Sequence, residues 1–295
     1  MKIFIPTKNK DSIGGGWTFM KNFISGMKRY YKDVEFVGSL EECDILLISG
    51  VTLVDPDTVT KASQLGKKIV FRVDNIPRKS RNKRSRVYSN MRTFAESADM
   101  VVFQSEWAQM YAGFLTGNGL LNSMVIYNGV DKDIFYPGPE FESSDYKSLK
   151  YLYVQSQKNE NKRFAEAAYI FHMRWRKDHN IKLTILGEFP SDLVSADFDF
   201  FAGENIEYLG VVPDRKMLAD IYRDHDILLF PAFADASPNT VLEARACGLL
   251  VEGVNDVGGT KELLEDGLDI TLERMCQDYY SLFSFLMTDV KEVSV

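Results

Sequence analysis

A helix start and a carboxylate stand together in the stretch SPNTVLEARACG of the second half of the chain. Ser237 is a good N-cap, since its hydroxyl can accept a hydrogen bond one turn on, and Pro238 suits the first helical position. The amides of Asn239 and Thr240 then lie in the first turn, where the helix dipole favours a phosphate. Glu243 follows one turn later. A ribose offers its hydroxyls to such a carboxylate, so a nucleoside diphosphate would account for both features.

The same residues have a simpler interpretation. Ser237 would only cap the helix, and Glu243 would pair with a neighbouring basic group. The position of the helix favours a ligand site, because the preceding segment DILLFPAFADA predicts a strand and a loop. Ligands of open α/β sheets bind at the carboxyl ends of strands. Taken alone, these residues leave both interpretations open.

The composition is that of an ordinary globular protein. The chain has 295 residues, of which 45% are apolar and 26% charged, and this length suggests two domains. A net charge of −7 argues against a polycation that binds nucleic acid with its whole surface. Neither a disulfide framework nor a zinc motif is expected from the three distant cysteines, Cys43, Cys247 and Cys276. Without a predicted signal peptide or membrane span, we expect a cytoplasmic protein, with a peripheral position at a membrane as the alternative.

Short β-rich runs alternate with helical patterns, which predicts βαβ units and parallel sheets. In the first half these runs are KIFIP, VEFVG, DILLIS, KIVFRV, DMVVFQ and SMVIYN. In the second half they are YLYVQS, KLTILG, IEYLGV, DILLFP and LLVEGV. Prolines, serines and charges without an apolar period predict a linker over residues 136–150.

We therefore predict an α/β fold with two doubly wound domains, 1–137 and 138–295. A ligand is expected in the cleft where the carboxyl ends of both sheets face each other. The segment ERMCQDYYSLFSFLM predicts one closing helix with an apolar face at Tyr279, Phe283 and Leu286. Packing of this helix back on the first domain is one expected arrangement.

Several segments resemble one enzyme family. The stretch DASPNTVLEARACGLLVEGVNDVGGTKELLEDG is similar to the donor-binding region of retaining GT-B glycosyltransferases of family 4, which has two acidic residues eight positions apart, followed by Gly-Gly. VIYNGVDKDIFYPG is similar to the domain junction of this family, and FAESADMVVFQSEW to the helix, strand and turn before it. The match runs in order from about residue 70 to 267, which chance explains poorly.

The resemblance implies a GT-B enzyme with two Rossmann-like domains, the first on the acceptor side and the second binding the sugar nucleotide. It would transfer a sugar from a nucleotide diphosphate sugar, UDP- or GDP-linked, to a hydroxyl acceptor. Retention of the anomeric configuration, independence of metal ions and the absence of a covalently bound cofactor are also implied.

The resemblance gives roles to residues around the helix start. Glu243 would bond the ribose, and the amides of Asn239 and Thr240 would hold the diphosphate. Asp235, eight positions before Glu243, would lie near the hydroxyls of the donor sugar, although it is one methylene shorter than the usual glutamate.

The resemblance also places a cation at the diphosphate. Lys162 occupies the lysine position of the family, and a lysine is a mobile point charge that suits a phosphate. Gln157 occupies the position of the family's arginine, and Lys158 beside it is the expected compensation. A solvated lysine at a helix start is the alternative for Lys162.

Two features of the first domain complete the predicted site. Asp74, in FRVDNIPRK, is the candidate polar group facing the reacting sugar, with a plain turn residue before Pro77 as the alternative. Gly15 and Gly16, after the first strand, let the backbone approach a ligand closely. In the family such a loop lies against the donor phosphate and the acceptor, but a flexible turn explains the glycines nearly as well.

A basic run contrasts with the acidic composition of the chain. It contains Arg78, Lys79, Arg81, Lys83, Arg84 and Arg86. One interpretation is a solvated loop, and the other is a clamp for an anionic acceptor such as a lipid diphosphate, a phosphorylated glycan or nucleic acid. In the second case binding would depend on salt.

The acidic residues and histidines of the chain bear on metal binding and on other functions. Because the chain has 42 acidic residues, its four Asp-x-Asp pairs are expected by chance and predict no metal site: Asp55/Asp57, Asp131/Asp133, Asp197/Asp199 and Asp224/Asp226. The alternatives are a glycosyltransferase acting on hydroxylated phage DNA, a catalytically silent sugar-nucleotide binder and a GT-B epimerase. Only three histidines are present, which argues against the epimerase.

Overall fold

The computed structural model describes residues 1–6, 15–74, 84–116, 122–138, 148–155, 162–189 and 205–288. The chain forms two compact units. Unit 1 comprises Met1–Gly129 and Asp269–Val295, and unit 2 comprises Val130–Leu268.

Unit 1 is built on a parallel sheet. Its strands are β1 (Lys2–Phe4), β2 (Glu35–Phe36), β3 (Ile45–Ile48), β4 (Lys68–Arg72), β5 (Met100–Phe103) and β6 (Ser123–Val125). Between them lie α1 (Gly15–Tyr30), α2 (Pro56–Gln64), α3 (Arg84–Ser97) and α4 (Glu106–Thr116). The strand order is β2-β1-β3-β4-β5-β6, and every neighbouring pair is parallel.

Unit 2 repeats this architecture with another strand order. Its strands are β7 (Lys150–Gln155), β8 (Lys182–Gly187), β9 (Ile206–Gly210), β10 (Ile227–Leu229) and β11 (Leu250–Glu252). Its helices are α5 (Phe164–Trp175), α6 (Arg215–Arg223) and α7 (Asn239–Ala246). The strand order is β11-β10-β7-β8-β9, again with parallel pairs throughout.

The closing helix α8 (Leu272–Thr288) belongs to unit 1. Tyr279 and Phe283 of α8 pack against Phe23 of α1, with ring centroids 5.0 and 6.3 Å apart. A Cβ on Gly129 would lie 2.5 Å from the carbonyl oxygen of Thr271, so only glycine allows this approach. The buried aromatic face of α8 therefore completes the core of unit 1.

The units divide at Gly129, eight residues before the boundary that we expected at residue 137. Packing explains the difference. The ring centroid of Phe135 lies 6.0 Å from that of Tyr222, and Arg223 donates from Nη1 to the carbonyl of Ile134 at 3.1 Å. The turn predicted as a domain junction is thus held by α6 of unit 2.

The predicted fold class is confirmed, since each predicted β-rich run contains one of these parallel strands. Parallel sheets are covered on both faces, so their strands are continuous apolar runs that are easy to recognise in a sequence. In the part of the chain that the structure describes, no helix is both long enough and apolar enough to cross a membrane.

In each sheet the strand order reverses at one place, which is where doubly wound sheets generally bind ligands. In unit 2, β7 and β10 are neighbours, but β7 leads through α5 to β8 on one side and β10 leads through α7 to β11 on the other. Doubly wound sheets bind ligands outside the carboxyl ends of their strands, where the order reverses in this way. The equivalent place in unit 1 lies between β1 and β3.

Candidate functional site

At the reversal point of unit 2, a lysine and an aspartate form an ion pair. Lys162 follows β7 and Asp235 follows β10, and Nζ lies 2.8 Å from Oδ2. Each side chain is 17% exposed, so the pair is partly shielded from water. The ammonium also lies 5.2 Å from the ring centroid of Phe230. The fold thus brings together two residues that the sequence analysis assigned to one site.

The backbone beside both members of the pair has an unusual conformation. Arg163 follows Lys162 with a φ of 53°, and Ala234 precedes Asp235 with a φ of 54°. Among the described residues, these are the only non-glycine residues with positive φ. Such residues cost about 1–3 kcal/mol each and cluster at functional sites. The chain therefore carries backbone strain on both sides of the ion pair.

A glycine loop braces the segment that carries Asp235. The amide of Ala234 donates to the carbonyl of Val257 at 2.8 Å, and the amide of Gly259 donates to the carbonyl of Asp235 at 2.9 Å. Gly258 has a φ of 134°, and a Cβ there would lie 2.8 Å from the carbonyl oxygen of Asp235. The Gly-Gly motif therefore fixes the position of the aspartate.

Helix α7 begins beside this loop, one residue later than predicted. Pro238 rather than Ser237 occupies the N-cap position, with φ −73° and ψ 115°, and no side chain caps the helix. The carbonyl of Pro238 accepts from the third and fourth amides that follow it, at 3.1 and 3.3 Å. The amides of Asn239 and Thr240 come before these, in the turn that has no acceptor within its own helix.

Glu243 is buried in α7, with 5% of its surface exposed. Arg215 donates from Nη1 to Oε1 at 2.9 Å, and the hydroxyl of Tyr222 donates to Oε2 at 3.3 Å. Burial raises the pKa of this carboxyl, while the charge and hydrogen bond of Arg215 oppose the rise. Arg215 is therefore the basic partner that the simpler, structural interpretation of Glu243 requires. Each carboxylate oxygen has two acceptor sites, so capacity for a further donor remains.

Arg215 and Tyr222 were not among the residues predicted from the sequence. They lie seven residues apart on α6, a spacing that places both on one helix face. The guanidinium of Arg215 lies 4.7 Å from the ring centroid of Phe135. The seven-residue spacing of Arg215 and Tyr222 could have indicated that they share one helix face. Nothing in the sequence shows that this face contacts Glu243.

In unit 1, Asp74 lies half-buried just beyond β4. Its Oδ1 accepts a hydrogen bond from the amide of Val51 at 3.1 Å. A Cβ on Gly50 would lie 2.7 Å from the carboxyl carbon of Asp74, and one on Gly16 would lie 3.9 Å from its Oδ2. The structure thus brings the predicted residues Asp74 and Gly16 together, while Gly15 is the first residue of α1.

A buried arginine precedes Asp74 and was missed in the sequence. Arg72 is 2% exposed and donates to the carbonyl of Ser49 at 3.2 Å, to Gln104 Oε1 at 2.6 Å and to Asn128 Oδ1 at 3.0 Å. Its guanidinium lies 3.7 Å from the ring centroid of Phe19. Burial lowers the pKa of Arg72. The partners of Arg72 come from segments far apart in the chain, so no local sequence pattern predicts these contacts.

Residues 150–280 match the family model described as glycosyl transferases group 1. Over 112 residues the chain is 35% identical to the D-inositol 3-phosphate glycosyltransferase of Paenarthrobacter aurescens (strain TC1). That match covers 35% of this chain and 26% of the relative, so it spans about a quarter of the relative's length.

Solved structures match nearly the whole chain. HepE of Anabaena, in complex with UDP-glucose, has a TM-score of 0.61 at 13% identity and covers 97% of this chain and 90% of its own. The sucrose-phosphate synthase of Thermosynechococcus elongatus has a TM-score of 0.64 at 13% identity, covering 98% and 89%. At such identities the likeness shows the fold, which is the GT-B fold with two parallel-sheet domains.

The residues that match this family model include the Lys162–Asp235 pair, Glu243 and the start of α7. The family description and the name of the curated relative both refer to glycosyltransferases. Within the described ranges, no group of three or more His, Cys, Asp and Glu residues comes together that could hold a metal ion.

Some predicted residues lie outside the described residues, and their roles stay predictions. Around the donor these are Gln157 and Lys158. In the basic run they are Arg78, Lys79, Arg81 and Lys83, together with the side chains of Arg84 and Arg86 at the start of α3.

Proposed function

We propose that this chain transfers a sugar from a nucleotide diphosphate sugar to a hydroxyl acceptor. The observation that carries the proposal is the Lys162–Asp235 pair beside the start of α7, at the reversal point of the unit that matches the family. A cation and a helix N-terminus suit the diphosphate of such a donor. The two carboxylates of the same unit suit the hydroxyl groups of its sugar and its ribose.

The diphosphate is proposed to bind the amides of Asn239 and Thr240 and the ammonium of Lys162. An ammonium group has three donors, so Lys162 can bind a phosphate oxygen and still contact Asp235. As the glycosidic bond breaks, the leaving diphosphate gains negative charge. The cation and the amides stabilise that charge more in the transition state than in the ground state, which accelerates transfer.

The two carboxylates are proposed to accept hydrogen bonds from hydroxyl groups of the donor. Asp235 is proposed to accept from the sugar, and Glu243 from the ribose. UDP is the favoured nucleotide, since HepE was crystallised with UDP-glucose, and GDP is the alternative. Retention of configuration is part of the proposal, with the acceptor approaching the face that the diphosphate leaves.

For the acceptor, we propose an anionic molecule that binds the basic run at residues 78–86. The name of the curated relative specifies D-inositol 3-phosphate, an anion, which supports this choice. In unit 1, the contacts of Asp74 with the Val51 amide and its proximity to Gly16 support a role for this carboxylate at the substrates.

The donor is tested with a thermal-shift panel of UDP-, GDP-, ADP- and CMP-sugars. A ligand that binds only the folded chain stabilises it by about 2.7 kcal/mol at 100 times its Kd, so the correct donor raises Tm clearly. We expect a UDP- or GDP-sugar to give the largest rise. If none of the four classes raises Tm, the proposal is wrong.

A second assay separates transfer from binding. The stabilising sugar nucleotide is incubated with the chain and with phosphorylated and neutral acceptors, and release of the nucleoside diphosphate is measured. Glutamine at position 157 and the short side chain of Asp235 favour the alternative of a silent binder. Stabilisation without release or transfer would support that alternative, whereas either reaction eliminates it.

A further inference from the structure

One face of α6 is directed at the carboxylate of Glu243. Arg215 begins the helix and Tyr222 follows two turns later on the same face. The guanidinium donates to one carboxylate oxygen at 2.9 Å, and the phenol donates to the other at 3.3 Å. Each oxygen of Glu243 therefore receives a hydrogen bond from the same helix, which fixes the plane of the carboxylate.

The two donors are themselves held in place. Asp214 caps α6, since its Oδ1 accepts from the amide of Met217 at 2.8 Å. The ring of Phe135 lies 4.7 Å from the guanidinium carbon of Arg215, and its centroid lies 6.0 Å from that of Tyr222. A capped helix and a shared aromatic neighbour thus restrict both donors.

Stability alone does not account for the arginine. The carboxylate of this pair is buried while the arginine side chain is 30% exposed, and removing the carboxylate from water offsets much of the attraction between the two charges. Nη2 of Arg215 is also buried and has no hydrogen-bond partner among the described residues, which adds a cost. The arrangement therefore favours a role in the function of Glu243.

That role follows from the chemistry of a carboxyl group. An ionised carboxylate accepts hydrogen bonds at both oxygens, whereas a protonated carboxyl carries a donor and accepts more weakly. Burial raises the pKa of Glu243, and the positive charge of Arg215 is the main opposing influence. A neutral residue at position 215 would therefore move the carboxyl towards its protonated form near neutral pH.

We propose that Arg215 and Tyr222 are positioning residues for the donor, which hold Glu243 ionised and oriented for the two ribose hydroxyls. The inference rests on the proposed function, because it takes ribose binding by Glu243 as its starting point. Neither residue is a catalytic residue, since both act through Glu243.

The other titratable groups facing Glu243 do not change charge near neutral pH. Burial raises the pKa of Tyr222 well above its usual value, and it raises the pKa of Cys247, at the end of α7, to about 11. The terminal phosphate of the nucleotide titrates at about pH 6, but it does so equally with every variant. A difference in pH dependence between a variant and the wild type therefore reports the carboxyl of Glu243.

The test is the affinity of the full chain for UDP, measured by calorimetry from pH 5 to 8, with GDP as the second probe. Relative to the wild-type profile, Arg215→Met should lose about tenfold in affinity at pH 5 and recover as the pH rises, because burial raises the pKa of Glu243 further once the charge of Arg215 no longer opposes it. Arg215→Lys keeps the charge, so it should restore the wild-type profile, and Tyr222→Phe should lose about threefold without a change in the shape of the profile.

Arg174 offers a matched control in the same unit. It also pairs with a glutamate, Glu252, but this pair lies at the surface. Arg174→Met removes the same charge and should leave the UDP affinity within about twofold of the wild type, as an exposed pair contributes little.

Circular dichroism and Tm show whether each variant is folded. If Arg215→Met does not fold, Arg215→Lys and Tyr222→Phe decide, and wild-type affinity in Tyr222→Phe together with a strong loss in Arg215→Lys overturns the inference.

Glu243→Gln distinguishes failure of the inference from failure of the proposed function. If this variant binds UDP and GDP like the wild type, ribose binding by Glu243 is wrong and the inference fails with it, whereas the thermal-shift panel and the transfer assay decide the proposed function separately. If Glu243→Gln binds weakly but Arg215→Met matches the wild type at every pH, only the positioning role is wrong.

Discussion

Two ion pairs in unit 2 have similar chemistry and different surroundings. Lys162 and Asp235 stand on the segments that follow two neighbouring strands, with a left-handed residue beside each and a distance of 2.8 Å between Nζ and Oδ2. Arg215 and Glu243 lie between two helices at 2.9 Å, with Tyr222 bonded to the second carboxylate oxygen. The first pair is partly exposed, whereas the carboxylate of the second is buried.

This difference indicates how the two pairs are used. A lysine on a loop is a mobile cation with three donors, so it can take a ligand in addition to its aspartate. An arginine fixed on a helix over Phe135 has less freedom and instead supports the carboxylate that it contacts. We therefore propose that the first pair exchanges contacts with the ligand and that the second supports a carboxylate. The following variants test this distinction.

The largest effect is expected for Lys162→Ala. Loss of the cation at the diphosphate should weaken UDP binding by about 1.5–3 kcal/mol, which is the usual contribution of a hydrogen bond to a charged group. Calorimetry measures the loss, and Lys261→Ala is the control, since Lys261 also pairs with an aspartate but is exposed. Equal losses in the two variants would contradict a specific role for Lys162.

Glu243→Ala should cost about 1–3 kcal/mol of UDP affinity if the carboxylate bonds the ribose. Inorganic pyrophosphate has no ribose, so its affinity should stay within about twofold of the wild type, in contrast to its strong loss in Lys162→Ala. A folded Glu243→Ala variant that binds UDP normally would remove the ribose role.

Gly258→Ala tests the loop that positions Asp235. The new Cβ would lie 2.8 Å from the carbonyl oxygen of Asp235, so we expect a loss of about 1–2 kcal/mol in the free energy of unfolding, measured by denaturant titration. Gly267→Ala is the control, because Gly267 also has positive φ but, beyond its chain neighbours, none of the described residues has an atom within 4 Å of its Cβ position. A smaller loss in Gly258→Ala than in this control would show that the contact does not constrain the loop.

The smallest effect, of opposite sign, is expected for Asp235→Asn. Removing this carboxylate frees the ammonium of Lys162 and reduces repulsion of the diphosphate, so UDP should bind more tightly by up to about 1 kcal/mol. Transfer from the sugar nucleotide should slow, because the proposed contact to the sugar is weakened. Weaker UDP binding by Asp235→Asn would contradict the distinction between the two pairs.

The fold was predictable because parallel strands are apolar along their whole length, as Ile45–Ile48 and Ile227–Leu229 show. The exact start of α7 was not, since Ser237 and Pro238 both suit a cap and helix ends shift by a residue. The meeting of Lys162 with Asp235 follows from the neighbouring positions of β7 and β10 in the sheet. The sequence did not give this strand order, and the two residues were assigned to one site through the family resemblance.

The partners of buried charges could not be predicted. Arg215 lies 28 residues from Glu243 in the chain, and the contact depends on the rotation of two helices about their axes. The hydrogen bonds of Arg72 join residues from separate strand ends. In both cases the sequence shows a charge but not the neutral or acidic groups that surround it after folding.

The most direct test of the central claim is a crystal structure of the chain with the sugar nucleotide that raises Tm most. We predict pyrophosphate oxygens within hydrogen-bonding distance of the Asn239 and Thr240 amides, with the ammonium of Lys162 directed at them. Amides occupied by protein atoms, or a lysine turned to bulk solvent, would contradict the account.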